Sequence, residues 1–160
     1  MMDRKTFQES LPKKRISSGC LFFDENGQLL VVNPTYKETW EIPGGVVERN
    51  ESPREAVIRE VYEELGLFCR PERLLCVDFS DETETRTESL QFIFLGPVFT
   101  AELIATIKLP AEELSEYRFL PPKKATKLLN KKLRRRVRHC LKVLDQDTTL
   151  YLEEQEPLLG

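Results

Sequence analysis

Three glutamates, Glu60, Glu63 and Glu64, crowd into a stretch that opens on the pair Gly44-Gly45 and closes on Gly66-Leu67. At about 100° per residue of an α-helix they fall within about one hundred degrees of one another. Like charges at these spacings repel by about 0.3 kcal/mol per pair even in water, so the pattern does not serve solubility alone. An oxygen-loving divalent cation turns that repulsion into ligation. Mg²⁺ takes one or a few carboxylates and leaves its other positions to water and substrate phosphates. The Gly44-Gly45 turn lets backbone approach a metal or a phosphate closely, which a side chain would block. Arg59 lies just off the acidic face, within reach of Glu63 at i+4 and of Glu51 in the preceding loop. Pairing with Glu51 is favoured, because it clamps the loop to the helix. The chemistry these residues suit is metal-assisted phosphate chemistry.

A helix must hold the carboxylates, and its punctuation is clear. Ser52 suits an N-cap, Pro53 the first helical position, and Glu55 completes a capping box. Gly66 is the natural stop, so the helix runs from about 53 to 65. Val57, Val61 and Leu65, with Ile58, form an adjoining stripe that must be buried, and Glu63 and Glu64 stand off it.

Apolar runs at 16–23, 29–32, 74–79 and 90–99 read as strands. Asn26-Gly27 between the first two signals a hairpin. Gly96-Pro97 bends or ends the fourth run, 101–107 reads as a further short strand, and 117–120 as another. Pro121-Pro122 opens a helical region in which Leu129, Leu133, Val137 and Leu141 recur every four residues, a stripe that docks on the body. Leu150-Tyr151-Leu152 suits an edge strand, and residues 153–160 an acidic, frayed tail. Trp40 is assigned to packing. Strands on both sides of one helix, with a second helix late, indicate an α/β fold whose mixed sheet is sandwiched by helices. The organisation expected is an N-terminal arm over 1–14, one domain over 15–152 and the tail.

Composition narrows the function classes. The 160 residues suffice for one domain with a core, and at 40% hydrophobic and 32% charged they fall in the soluble globular class. A net charge of -3 gives no overall pull towards nucleic acid or an anionic membrane, and no apolar run approaches the length of a membrane span. The charged N-terminus lacks the apolar stretch of a secretion signal. Cys20, Cys69, Cys76 and Cys140 have no Cys-x-x-Cys spacing, and His139 is the one histidine. A transition-metal site is therefore disfavoured, Cys20 and Cys76 read as small core residues, and the thiols suggest a reducing, cytoplasmic setting.

The stretch Gly45 to Leu67 resembles the signature of the Nudix family at every fixed position. The signature is a glycine, five residues, Glu51, seven residues, Arg59-Glu60, an aliphatic, one residue, Glu63-Glu64, one residue, Gly66 and an aliphatic. A chance match has a probability on the order of 10⁻⁸ per start position. The approach Trp40-Glu41-Ile42-Pro43-Gly44 is similar to the family's too. The resemblance implies a Nudix-type α/β/α sandwich that hydrolyses a nucleoside diphosphate linked to another moiety, with water attacking one phosphorus. The implied cofactor is Mg²⁺, with Mn²⁺ as an alternative. Carried over by position, Glu60, Glu63 and Glu64 are metal ligands, joined by the Gly45 carbonyl. Glu51 and Arg59 are the structural clamp.

The family's general base is either a box glutamate or one in a later loop. Here Glu112, Glu113 and Glu116 stand in the right place, and Glu113 is chosen. Stacking aromatics near the sheet should hold the base, with Phe22, Tyr36, Phe92 and Phe94 as candidates. Arg15, Lys37 and Arg54 are candidates for phosphate contact. The extra signatures of family members acting on NADH, coenzyme A, ADP-ribose and inositol polyphosphates are absent. Nucleoside triphosphates are the favoured substrate, followed by dinucleoside polyphosphates.

The basic run 131–138 raises a capped RNA as a rival substrate, although the solvated side of an amphipathic helix is the better reading and nucleic acid is not the expected partner. A non-catalytic nucleotide sensor of the same fold is the other rival. The intact carboxylates speak against it. A homodimer is left open.

Overall fold

The computed structural model describes residues 1–158. In chain order the elements are α1 (Arg4–Ser10), β1 (Arg15–Leu21), β2 (Leu29–Pro34), β3 (Gly44–Val46), α2 (Pro53–Leu65), β4 (Arg73–Ser80), β5 (Ser89–Leu95), α3 (Ala101–Ile104), β6 (Leu114–Leu120), α4 (Pro122–Leu128), α5 (Lys131–Leu141), β7 (Leu150–Glu153) and β8 (Glu156–Pro157). Six strands form one mixed sheet in the order β3-β1-β5-β4-β7-β8. β1 runs parallel to β5 and antiparallel to β3, and β4 runs antiparallel to β5 and parallel to β7. β2 and β6 form a separate antiparallel pair.

Alternation along β1 sends Cys20 into one buried cluster and its neighbour Leu21 into the other. The first cluster contains Val57, Val61 and Leu65 of α2, and the second contains Leu133 and Val137 of α5. Helices thus cover both faces, as the α/β/α expectation requires. Burying each large aliphatic contributes about 1.5–3 kcal/mol.

Helix α2 forms as its sequence dictates. Ser52 Oγ accepts from Glu55 N–H at 3.1 Å, Glu55 Oε2 accepts from Ser52 N–H at 2.8 Å, and Gly66 closes the helix at a φ of 71°. Val57, Val61 and Leu65 are buried as expected, but so is Glu64, at 8% exposure. The stripe therefore extends one position further round the helix than apolar residues alone indicate.

Four expectations change. The turn at Asn26-Gly27 forms, with Gly27 N–H donating to the Asp24 carbonyl at 3.0 Å, yet its strands separate after the bridge Phe23–Leu29. The cause is β2, which is apolar on both faces and feeds both clusters: Leu29 and Val31 enter one, Leu30 and Val32 the other. Residues Ala101–Ile104 are helical because Thr100 Oγ1 caps Leu103 N–H at 3.2 Å. The region after Pro121 is two helices, since Asn130 ends the first path and caps α5 through Leu133 N–H at 3.0 Å. The tail does not fray through its described part: β8 pairs with β7, and Gln155 is buried against Asp78. Residues 159–160 lie outside the described part.

Candidate active site

Strand β3 brings the glycine pair onto the edge of the sheet beside α2. A Cβ on Gly44, whose φ is 151°, would stand 2.2 Å from the Ser18 carbonyl oxygen, so only glycine fits there. A Cβ on Gly45 would stand 2.3 Å from Glu60 Oε1. The backbone and the Glu60 carboxylate are thus in direct apposition. Ser18 Oγ donates to the Pro53 carbonyl at 2.6 Å and ties β1 to the start of α2.

Arg59 fastens the loop between them. Its Nε donates to Glu51 Oε2 at 2.8 Å and an amino group to Glu51 Oε1 at 3.0 Å, while the same amino group reaches the Val46 carbonyl at 3.1 Å. The favoured clamp is present, but Arg59 is not reserved for it. Its other amino group donates to Glu60 Oε1 at 2.9 Å and to Glu63 Oε2 at 3.2 Å. Those hydrogen bonds, the one to Glu51 foremost, hold the guanidinium in its charged form and push Arg59 up, and the same bond draws Glu51 below the usual carboxylate range.

The three box carboxylates sit in three environments. Glu63 is exposed. Glu60 is half-buried, and burial raises its pKa against the pull of Arg59. Glu64 is buried on the sheet side, where Oε1 accepts from Gly44 N–H at 3.2 Å. Burial pushes Glu64 up to about 9, with smaller contributions from the charges of Glu60 and Glu113. Its Oε2 is buried without a partner. Among the described residues no three His, Cys, Asp or Glu side chains are grouped so as to hold one ion. The trio expected from helix spacing is only partly drawn together: Glu60 and Glu64 share a carboxyl–carboxyl hydrogen bond, while Arg59 holds Glu60 and Glu63.

The residues nonetheless fit a hard divalent cation. The donors are all oxygens, and the orphaned Glu64 Oε2 lacks the one thing a cation supplies.

A cleft of about 1790 Å³ runs from this corner across the sheet. Glu60, Glu63, Glu64 and Gly45 line it, and so does Glu113, whose charge is felt at Glu64. Glu113 is held there by Thr35, whose N–H donates to its carbonyl at 3.0 Å. Glu116 points elsewhere and pairs with Arg118 at 2.6 Å. Arg15, Tyr36, Lys37 and Phe92 also line the cleft, and Tyr36 is exposed.

Phe22 and Phe94 do not belong to the cleft, which corrects their selection as base-stacking residues. Phe22 is wholly buried against Phe99 at a ring separation of 4.7 Å, and Phe94 packs on the same α2-side cluster. Phe94 shares a face of β5 with Phe92, so it is position along the strand that takes it into the cluster under α2. Arg54 is exposed on α2. Trp40 packs on the α5-side cluster, with the Arg118 guanidinium 4.9 Å from its ring.

The basic run is not one face. Arg134 donates to the carbonyls of Thr126, Lys127 and Leu129, closing the end of α4. Arg135 pairs with Glu156, and Arg136 is buried on Asp78. Gln91 and Arg136 were missed as cleft-lining residues, and so was Asp78, which is wholly buried behind Arg136. An acid inside the apolar strand Leu74–Phe79 was the available signal, because a buried carboxylate requires a partner.

The NUDIX domain model matches residues 13–142. The chain belongs to the NUDIX family. Within it, the chain is 41% identical over 58 residues to a MutT-like protein of Streptomyces ambofaciens, a match covering 36% of this chain and 38% of that one. It is 33% identical over 84 residues to human diphosphoinositol polyphosphate phosphohydrolase 2, covering 52% of this chain and 47% of that one. The matches thus span less than half the length of these curated relatives. Among solved structures, the MutT protein of Methanosarcina mazei superposes with a TM-score of 0.66 at 26% identity, over 88% of this chain and all of that one. The fold of this NUDIX chain is therefore shared beyond the signature itself.

Proposed function

We propose that the protein hydrolyses the diphosphate linkage of a nucleoside diphosphate joined to another moiety, using Mg²⁺, with Mn²⁺ as the alternative. The observation that carries this is the buried, unpartnered Glu64 Oε2 beside Glu60 and the Gly44-Gly45 backbone, and membership of the NUDIX family supports it. Glu60, Glu63 and Glu64, with the Gly45 carbonyl, would hold the cation. When bound, it would neutralise phosphate oxygens and orient the attacking water.

The chain's own residues have distinct tasks in this reading. Arg59 holds the loop to α2 through Glu51 and, before any cation binds, offsets the charge of Glu60 and Glu63. Gly44 N–H fixes the orientation of the Glu64 carboxylate. Glu113, which lines the cleft within electrostatic reach of Glu64, would accept a proton from water. Tyr36 and Phe92 are the aromatics left at the cleft for the base. A nucleoside triphosphate is the simplest candidate substrate and a dinucleoside polyphosphate the second. The dispersal of the basic run removes the motive for a capped RNA.

The test is a panel of nucleotides with Mg²⁺, products resolved by mass. Hydrolysis at a diphosphate that is lost in Glu63→Gln supports the proposal. A panel without turnover, in which a ligand still raises Tm, would favour a nucleotide sensor.

A further inference from the structure

Arg136 is the chain's most buried arginine, at 6% exposure, yet only part of its guanidinium is used. Nε donates to Asp78 Oδ2 at 2.7 Å. Asp78 is wholly buried, and its other oxygen accepts from Gln155 N–H at 3.0 Å. Among the described residues the two terminal amino groups of Arg136 make no hydrogen bond. They are not sealed in either, because among the described residues the one buried side-chain polar atom left without a partner is Glu64 Oε2. The fork therefore opens into the cleft, whose wall Arg136 helps to form.

The surroundings add positive charge. Lys132 lies one helical turn before Arg136 on the same side of α5 and lines the cleft with Lys131 at the start of that helix. Arg15 lines it from β1, where an amino group donates to Ser17 Oγ at 3.3 Å. Asp81 is an acid on the same wall, and the Glu41 carboxylate is paired with Lys37 at 2.8 Å. Register gives the distance from the box. Val46 pairs with Ser17, Ser17 with Gln91, and Gln91 with Asp78. The Arg136 end thus lies three strand spacings, about 14 Å, from the residue that follows Gly45.

We propose that Arg136 is a specificity-determining residue, which takes a second phosphate group of the substrate on the far side of the cleft from the box. This rests on the diphosphate-hydrolase reading and narrows it. Two parallel N–H donors match the geometry of a phosphate, and partial burial strengthens the contact. Asp78 orients the fork and leaves its outer edge free. The substrate class selected has a phosphate on the moiety beyond the scissile diphosphate, or a polyphosphate chain long enough to reach the Arg136 side of the cleft. The hydroxyls of a neutral sugar could accept from the fork but would not supply the opposite charge that strengthens the contact.

The probe is inorganic phosphate, titrated into metal-free protein in EDTA while the Arg136 Nε–H signal, held by Asp78, is followed by ¹⁵N NMR. Without metal, the acidic box repels the probe. The expected result is a saturable shift of that signal that equal ionic strength of sodium chloride does not reproduce. Arg136→Lys, which lacks that signal and is followed through the backbone amides at the start of α5, should weaken phosphate about tenfold or more, and Lys132→Gln about threefold. Should the first variant not fold, the second and the wild-type titration decide. An Arg136 signal that phosphate leaves unmoved, or that chloride moves equally, overturns the proposal. Glu63→Gln keeps the two readings apart: unimpaired turnover there refutes the box assignment, while phosphate binding at Arg136 stands or falls independently.

Discussion

Glu64→Gln tests the site where burial and chemistry conflict. The wild-type carboxyl is pushed up to about 9, chiefly by burial, against an ordinary value of 4.5. A carboxyl raised on folding stabilises the native state fully below its unfolded pKa, and that contribution is lost as pH climbs towards the folded one. At pH 7.5 the group is three units above 4.5, and at 1.36 kcal/mol per unit the metal-free protein has forfeited about 4 kcal/mol. Glutamine cannot ionise, and its Oε1 can keep the Gly44 N–H bond. In EDTA, the variant should therefore be more stable than wild type by up to about 4 kcal/mol at pH 7.5, and by little at pH 4.5. Urea unfolding at the two pH values measures this. Turnover with Mg²⁺ should fall at least about 100-fold, as for loss of a metal-ordering group. An unchanged stability difference across the two pH values would show that burial does not raise the Glu64 carboxyl on folding, and the account of the site would fail with it.

The other predictions concern the same corner. Mg²⁺ affinity should rise with pH between 4.5 and 9, by up to about tenfold per unit, with release of a proton from Glu64 that calorimetry in two buffers would register. Arg59→Ala should cost about 2 kcal/mol through the lost pairing with Glu51, read by denaturant unfolding, whereas an effect within error would deny the clamp. Gly45→Ala should leave the fold intact and displace Glu60, whose Oε1 lies 2.3 Å from the added Cβ; turnover equal to wild type would contradict this. Gly44→Ala should cost stability instead, because the obstacle is the Ser18 backbone at 2.2 Å, and circular dichroism melting separates the two variants.

What the sequence made legible was local. The cap at Ser52, the stop at Gly66 and the stripe of Val57, Val61 and Leu65 depend on residues within a few turns of one another. The box carboxylates and the Arg59–Glu51 pairing could be read for the same reason. What stayed hidden depended on contacts far apart in the chain. Strand β2 looked like the second arm of a hairpin, but its partner is β6, more than eighty residues on. Glu64 looked like an acid standing off the buried stripe, and only the packing of β3 against α2 buries it. Phe22 and Phe94 looked like any strand aromatics, since a single strand does not say which face, or which part of a face, turns to a ligand.

The same distinction explains why the box does not name the substrate. Loop, clamp and helix form one contiguous segment, so their chemistry travels with a short signature. The far end of the cleft is assembled from β1, β4, β5 and α5, through pairings such as Asp78 with Arg136 that span 58 positions. A lysine-arginine run read as a solvated face turns out to be divided among three tasks: Arg134 closes α4, Arg135 holds the tail and Arg136 reaches the cleft. Each substitution in that run should then change a different property. Loss of Arg134 should lower stability, and loss of Arg135 should free β8. Arg136→Lys keeps a charge for Asp78 but removes the two-pronged edge, so in this protein alone of the three it should alter which phosphates bind.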